Sequence, residues 1–282
     1  MKPLKVLSLG AGVQSSTLLL MSIKGELPKL DACVFADTGW EPSEVYEHYE
    51  FLREEAGKSG IPVHRVTGGD LRNHTMKGVM RGKKEDGEQF VSIPLHIRKK
   101  DGTTGIVRRQ CTRQYKIEPI QKFIKTELLG LSLHARWPLE IVVDLWFGIS
   151  SDEMRRVRIP DALWKRHVYP LCNIPFDYLK TQFNRQRCVS WLSKHYENRR
   201  IPRSACIGCP FKTNREWRYL RSQFPEEWQD AIEVDRSLRG KGDGDTFLHY
   251  SSEPLESANL GEDPNQLRFE GFGNECLGYC GN

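Results

Sequence analysis

The chain has 282 residues, 38% of them hydrophobic and 28% charged, with 42 basic and 37 acidic side chains giving a net charge of +5. Such a composition can bury a sizeable core and argues against a disordered chain. It also argues against a membrane protein, because no stretch approaches the roughly 18 apolar residues of a helical span, and the mild charge excess suits an anionic small substrate without requiring nucleic acid.

The opening MKPLKVLSLGAG has too short an apolar run for a secretory signal, so the expected address is the cytoplasm. Residues 4–10 predict a first strand ending in glycine, and Ser15 to Ile23 a first helix. Residues 31–37 predict a second strand ending in an acid. Val45, Tyr49, Leu52 and Ala56 then lie on one face of a helix from Pro42 to Ala56. Residues 62–67 give a third strand. This rhythm predicts a doubly wound α/β fold with a mostly parallel sheet and right-handed crossovers. Residues 79–109 interrupt it: turn signals at Asp86-Gly87 and Asp101-Gly102 flank QFVSIPLHI, the pattern of a β-hairpin insertion. The rhythm resumes with a helix over Lys116–Leu128, a strand over 140–150 and a helix over Phe176–His195, and the chain turns irregular from about 240. The expected organisation is an α/β nucleotide-binding domain over 1–200 and a loop-rich, cysteine-bearing region over 201–282.

Between the first strand and helix lies Ser8-Leu9-Gly10-Ala11-Gly12-Val13-Gln14-Ser15-Ser16. Its glycines can close backbone N–H groups on an anion at a helix N-terminus, and Ser15 and Ser16 can cap the helix or donate to phosphate. A tight glycine turn with a serine cap has the same look. The second strand ends in Asp37-Thr38-Gly39, where Asp37 could hold a ribose hydroxyl, an adenine amino group or Mg²⁺, or could simply form a polar turn. Eight cysteines in a chain expected in a reducing compartment point to metal ligation or thiolate chemistry. Cys206 and Cys209 have the C-x-x-C spacing of a metal site or a redox dithiol. Cys33 and Cys188 read as core, and Cys172 as a spare thiol. Arg98, Lys99 and Lys100, and Arg215, Arg218 and Arg221 interleaved with Trp217 and Tyr219, could grip nucleic acid or mark an amphipathic helix.

The pair SLGAGVQSS and VFADTGWEPSEVY resembles the N-terminal half of the phosphoadenosine phosphosulfate (PAPS) reductases, in the PP-loop adenine nucleotide α-hydrolase-like superfamily, whose sheet is of the HUP type. Three later stretches continue the resemblance in order: Gln110-Cys111 through Lys116 to Pro119, Trp146 through Gly148 to Arg155 and Arg156, and Ala205-Cys206-Ile207-Gly208-Cys209-Pro210. The resemblance implies an adenine nucleotide held by Ser8, Gly10, Gly12, Gln14, Ser15, Ser16, Asp37, Thr38, Gly39, Gly148 and Arg156. It further implies phosphate or sulfate contacts from Lys116 and Arg155, and a 4Fe–4S cluster (or zinc) on Cys111, Cys206, Cys209 and Cys280. Two departures stand out. Gln110-Cys111 replaces an adjacent cysteine pair, and Glu275-Cys276-Leu277-Gly278-Tyr279-Cys280 keeps the Glu-Cys start of the family's catalytic tail without its histidine.

Three activities follow as expectations. In the first, Cys276 attacks the sulfur of an adenylyl sulfate, with a thiol reductant or sulfur-donor protein as partner. In the second, an ATP pyrophosphatase uses Mg²⁺ and adenylates DNA or tRNA for sulfur insertion. The third is a non-catalytic nucleotide-binding redox sensor.

Overall fold

The computed structural model describes residues 2–78, 91–197, 199–240 and 244–261. Five parallel strands form the main sheet in the order β3 (Val63–Thr67), β2 (Ala32–Asp37), β1 (Leu4–Leu9), β6 (Val143–Phe147), β7 (Lys165–Val168). Successive side chains of a strand point to opposite faces, and the central strands β2, β1 and β6 are largely apolar and buried on both. Leu7, Leu9, Cys33, Phe35 and Trp146 pack with α1 (Val13–Ile23), α2 (Ser43–Lys58) and α5 (Arg185–His195) on one face. Val6, Val34, Ala36, Leu145 and Phe147 pack with Ile120 and Ile124 on the other. Helices on both faces of a parallel sheet make the fold doubly wound. Its switch point lies between β1 and β6, because the chain runs outward to β2 and β3 on one side and to β7 on the other.

A second sheet has three antiparallel strands, β5 (Thr104–Ile106), β4 (His96–Lys99) and β8 (Gly244–Phe247). The expected hairpin is present as β4–β5, turning at Asp101-Gly102, where Gly102 has φ +83°. Its other turn signal, Asp86-Gly87, lies outside the described residues. A third apolar cluster joins this sheet to α3 (Leu71–Lys77), α6 (Asn214–Gln223) and α7 (Pro225–Ser237) around Trp40, Tyr115, Trp217 and Trp228.

Several sequence expectations need correction. The stretch after residue 240 is not wholly irregular, since β8 pairs with β4 in register Ile97↔Thr246. The helix expected from Phe176 starts at Arg185, where Asn184 caps it by accepting from the Arg187 N–H; Phe183 instead pairs its backbone with Leu171 and Ser151. The helix expected from Lys116 begins earlier, at Cys111, runs through a π-helical turn (Arg113–Ile117), continues as α4 (Glu118–Phe123) and ends in a second π turn, Ile124–Leu128. Trp217 is fully buried, so α6 presents no tryptophan face to a nucleic-acid base.

Among the described residues, no helix is long and apolar enough to cross a membrane.

Three buried imidazoles have a consequence for stability. Burial lowers the pKa of His48, His167 and His249 to about 4, with Arg199 adding to the effect at His48 and His96 at His249. In the unfolded chain each titrates near the ordinary value of about 6.5. Below that pH the unfolded state takes up protons that the folded state refuses. Stability should therefore be full above about pH 6.5 and fall as pH drops toward 4, by about 1.4 kcal/mol per pH unit per histidine. Urea titrations from pH 7.5 to 4.5 check this. A midpoint that stays constant down to the carboxylate range would show that these rings are not held neutral.

Candidate active site

All five parallel strands end at one edge of the sheet, and the loops after β1, β2 and β6 meet there. The first of these runs from Gly10 to Gly12. Ala11 has φ +53°, a left-handed conformation that costs a residue with a Cβ about 1–2 kcal/mol, and the residue is fully buried. Gly12 is the N-cap of α1 and no side chain caps it, so the expected serine cap is not formed. The hydroxyls are used elsewhere. Ser15 Oγ accepts from Gly10 N–H and donates to Gly12 C=O, at 3.2 and 3.3 Å. Ser16 Oγ meets His48 Nε2 at 2.8 Å. The first-turn N–H groups of α1 have no intrahelical partner, and this helix start lies beside Gly148 at the end of β6.

The loop after β6 closes on the loop after β1. A Cβ on Gly148 would lie 2.6 Å from Ser15 N and 2.9 Å from Ser15 Cα, so only glycine permits this approach. Gln14 Nε2 donates to Ser150 Oγ at 3.3 Å and to Glu153 Oε2 at 3.0 Å, and Glu153 Oε1 accepts from Arg156. Gln14, Glu153 and Arg156 thus tie the two loops together across the switch point. Arg155, expected beside them, is exposed on the same 3-10 turn. Glu153 was visible in the sequence only as part of a motif. Its role as the link came from the fold.

The end of β2 carries a denser arrangement. Asp37 is fully engaged: Oδ1 accepts from Gly39 N–H at 2.9 Å and from Tyr46 O–H at 2.8 Å, and Oδ2 accepts two bonds from Arg65 at 3.0 and 2.6 Å. It orders the Asp-Thr-Gly turn from within. Thr38 Oγ1 donates to Glu41 Oε1 at 3.0 Å, and Lys116 Nζ lies 3.5 Å from the same oxygen. Glu41 and Lys116 are 3% and 6% exposed, so this is a buried ion pair. The π turn Arg113–Ile117 carries Lys116 to it. Glu41 Oε2 is buried with no hydrogen-bond partner among the described residues. Sequence reasoning missed Glu41 because an acid before a proline at a helix start reads as an ordinary first-turn charge.

Cys206 completes this cluster. Its Sγ is 3.4 Å from Thr38 Oγ1 and 3.7 Å from Glu41 Oε1. The Cys206–Cys209 turn is fixed against the end of β2: Ile207 N–H donates to Trp40 C=O at 2.9 Å, and a Cβ on Gly208 would lie 2.0 Å from the Trp40 ring. Cys111 borders the same apolar cluster as Cys206. Cys33, Cys172 and Cys188 are buried thiols, and burial pushes Cys172 up to about 12. Cys276 and Cys280 lie outside the described residues.

A cluster or zinc centre needs three or four thiolates or imidazoles turned to one point. Among the described residues no three His, Cys, Asp or Glu side chains meet in that way, and the Cys206 thiol faces a hydroxyl and a carboxylate. The described cysteines alone do not fit the implied metal centre.

No protein-family model matches the chain, and no curated protein or solved structure is significantly similar to it.

The two close approaches give a direct test. Gly148→Ala and Gly208→Ala should each lower stability by about 1–3 kcal/mol, because backbone or an indole ring must shift. Gly57→Ala, in α2 with open space around it, should instead gain about 0.5–1 kcal/mol. Urea unfolding of the three variants checks the contrast, and equal effects would mean the close contacts do not exist.

Proposed function

We propose that the chain binds an adenine nucleotide in the crevice between the loops after β1 and β6 and transfers sulfur from an adenylyl sulfate. The observation that carries this reading is the switch point itself. In open α/β sheets, ligands bind outside the carboxyl ends of the strands where the winding reverses, and here the uncapped start of α1 lies at that place beside Gly148. Uncapped first-turn N–H groups and the positive end of a helix favour a phosphate. A buried lysine and a cysteine meet at the end of the neighbouring strand β2.

The ordered resemblance to the PAPS reductases supplies the chemistry. A thiolate attacks the sulfur of adenylyl sulfate, the bond from sulfur to the phosphate oxygen breaks, and AMP leaves with the electron pair. Within this reading Lys116 offsets charge on the departing phosphate, and the strained Ala11 turn holds the loop in shape before the nucleotide arrives. No step of this reading runs through a metal.

Calorimetric titration with adenylyl sulfate, AMP, ATP and GTP tests the nucleotide part. Adenine nucleotides should bind, GTP should bind at least about tenfold more weakly, and Gly148→Ala should weaken adenine binding. Equal affinity for GTP, or no binding at all, would remove the reading. Sulfite release from adenylyl sulfate with a dithiol reductant tests the chemistry. Pyrophosphate release from ATP only in the presence of DNA or RNA would identify the ATP-pyrophosphatase activity instead.

A further inference from the structure

We infer that Gly68 is a positioning residue for Lys116: its bare Cα sets how closely the π turn Arg113–Ile117 approaches the ends of β2 and β3, and so holds the Lys116 ammonium against Glu41. The catalytic part of this inference rests on the adenylyl sulfate reading above, in which Lys116 offsets charge on the departing phosphate. Gly68 directly follows β3, whose last residue Thr67 lies opposite Asp37 of β2. A Cβ on Gly68 would stand 2.5 Å from the Gln114 carbonyl oxygen, 3.0 Å from Tyr115 Cα and 3.0 Å from Pro119 Cγ. The first two are backbone atoms of the π turn, so no side-chain rotation could make room. Gly68 is not among the glycines with positive φ. Its backbone would accept alanine, and it is the close approach alone that requires glycine.

The same loop is keyed to β2 on its other side. Leu71 N–H donates to Thr38 C=O at 2.8 Å, and Asp70 Cα lies 3.3 Å from where a Cβ on Gly39 would stand. Thr38 in turn donates its hydroxyl proton to Glu41. The loop after β3 is thus a spacer between the Asp-Thr-Gly turn and the π turn, and Gly68 is its contact on the π side.

The π turn lies where the helical stretch passes from one apolar cluster to another. Tyr115 packs in the cluster around Trp40, whereas Ile120 and Ile124 pack on the second face of the main sheet. One residue more than an α turn re-aims the side chains before it by about 100° relative to those after it. Two neighbours on the turn use that change of direction. Tyr115 O–H meets His74 Nδ1 of α3, and Lys116 Nζ lies 3.5 Å from Glu41 Oε1, with both Tyr115 and Lys116 buried. A Cβ on Gly68 must shift the turn that carries Lys116. The nucleotide crevice lies elsewhere, between the loops after β1 and β6, and β2 separates β3 from β1. A change at Gly68 should therefore act on turnover rather than on nucleotide affinity.

Pulse acetylation of the full chain with acetic anhydride, read by peptide mass analysis, reports where Lys116 sits. In the wild type it should label more slowly than the exposed Lys99 and Lys100. In Gly68→Ala it should label at least about fivefold faster, as a locally opened segment does. In Gly148→Ala, a close approach on the other side of the sheet, Lys116 should stay protected. The dissociation constant of Gly68→Ala for adenylyl sulfate should remain within about threefold of wild type, while kcat for sulfite release falls about tenfold or more. A glycine inserted between Gly68 and Gly69 gives a second route. Gly68 is exposed, so the loop takes an extra residue that adds no side chain, and the slackened spacer should free Lys116 in the same way.

Lys116 as protected in both variants as in the wild type overturns the inference. So does equal exposure of Lys116 in Gly148→Ala, which would make the effect a general loosening, and so does wild-type kcat from a variant whose Lys116 is freed. Failure of both variants to fold, read by urea unfolding, also overturns it, since positioning would then be inseparable from folding. A wild type that releases no sulfite refutes the adenylyl sulfate reading instead. A Lys116 freed selectively by Gly68→Ala would in that case leave the spacer standing.

Discussion

The contact between Gly148 and the backbone of Ser15 is the constraint on which the candidate site depends. β1 and β6 lie side by side with Val6 opposite Leu145 and Ser8 opposite Phe147, so the loops leaving them must either part or touch. They touch, because position 148 carries no side chain. From that contact follow the Gln14–Glu153–Arg156 link and the fixed start of α1. The loop after β1 is thus held from both sides: by the β6 turn through Gln14, and by α2 through the Ser16–His48 bond. A loop held in this way would need less ordering when a ligand binds.

The second centre has a different physical character. The loop after β1 offers backbone amides, whereas the end of β2 offers side-chain charge in a dry setting. A buried ion pair such as Glu41–Lys116 contributes little net stability, since desolvation offsets its attraction. Asp37, three residues before Trp40, shows the contrast. With Gly39, Tyr46 and Arg65 all donating to it, that carboxylate is saturated and suited to architecture.

Much of the fold was legible in the sequence, and the exceptions have physical causes. β1 and β2 are short apolar runs closed by glycine or acid, and strands buried on both faces read in that way. β7 went unseen because Lys165-Arg166-His167 looks like surface, yet Lys165 is 2% exposed and paired with Asp161. Phe176, Tyr178, Leu179 and Phe183 mimic helical spacing, but Tyr178, Leu179 and Phe183 pack against the core as an irregular segment and Phe176 is exposed. At the site, glycines and the Asp-Thr-Gly turn were readable because backbone geometry demands particular residue types. Glu41, His48 and Glu153 were not, because a single polar residue means nothing until the fold supplies its partner.

The fit of Trp40 against Gly208 leads in another direction. The indole N–H is bonded to Asp230 at 2.6 Å, and Asp230 in turn holds Arg72. The ring therefore fills the space between the thiol turn and two helices, with no slack on the turn side. Any movement of that turn toward Trp40 must therefore displace the ring. Trp40 is thus a mechanical lever: its motion would carry a displacement of the Cys206–Cys209 turn to α7 through Asp230 and to α3 through Arg72.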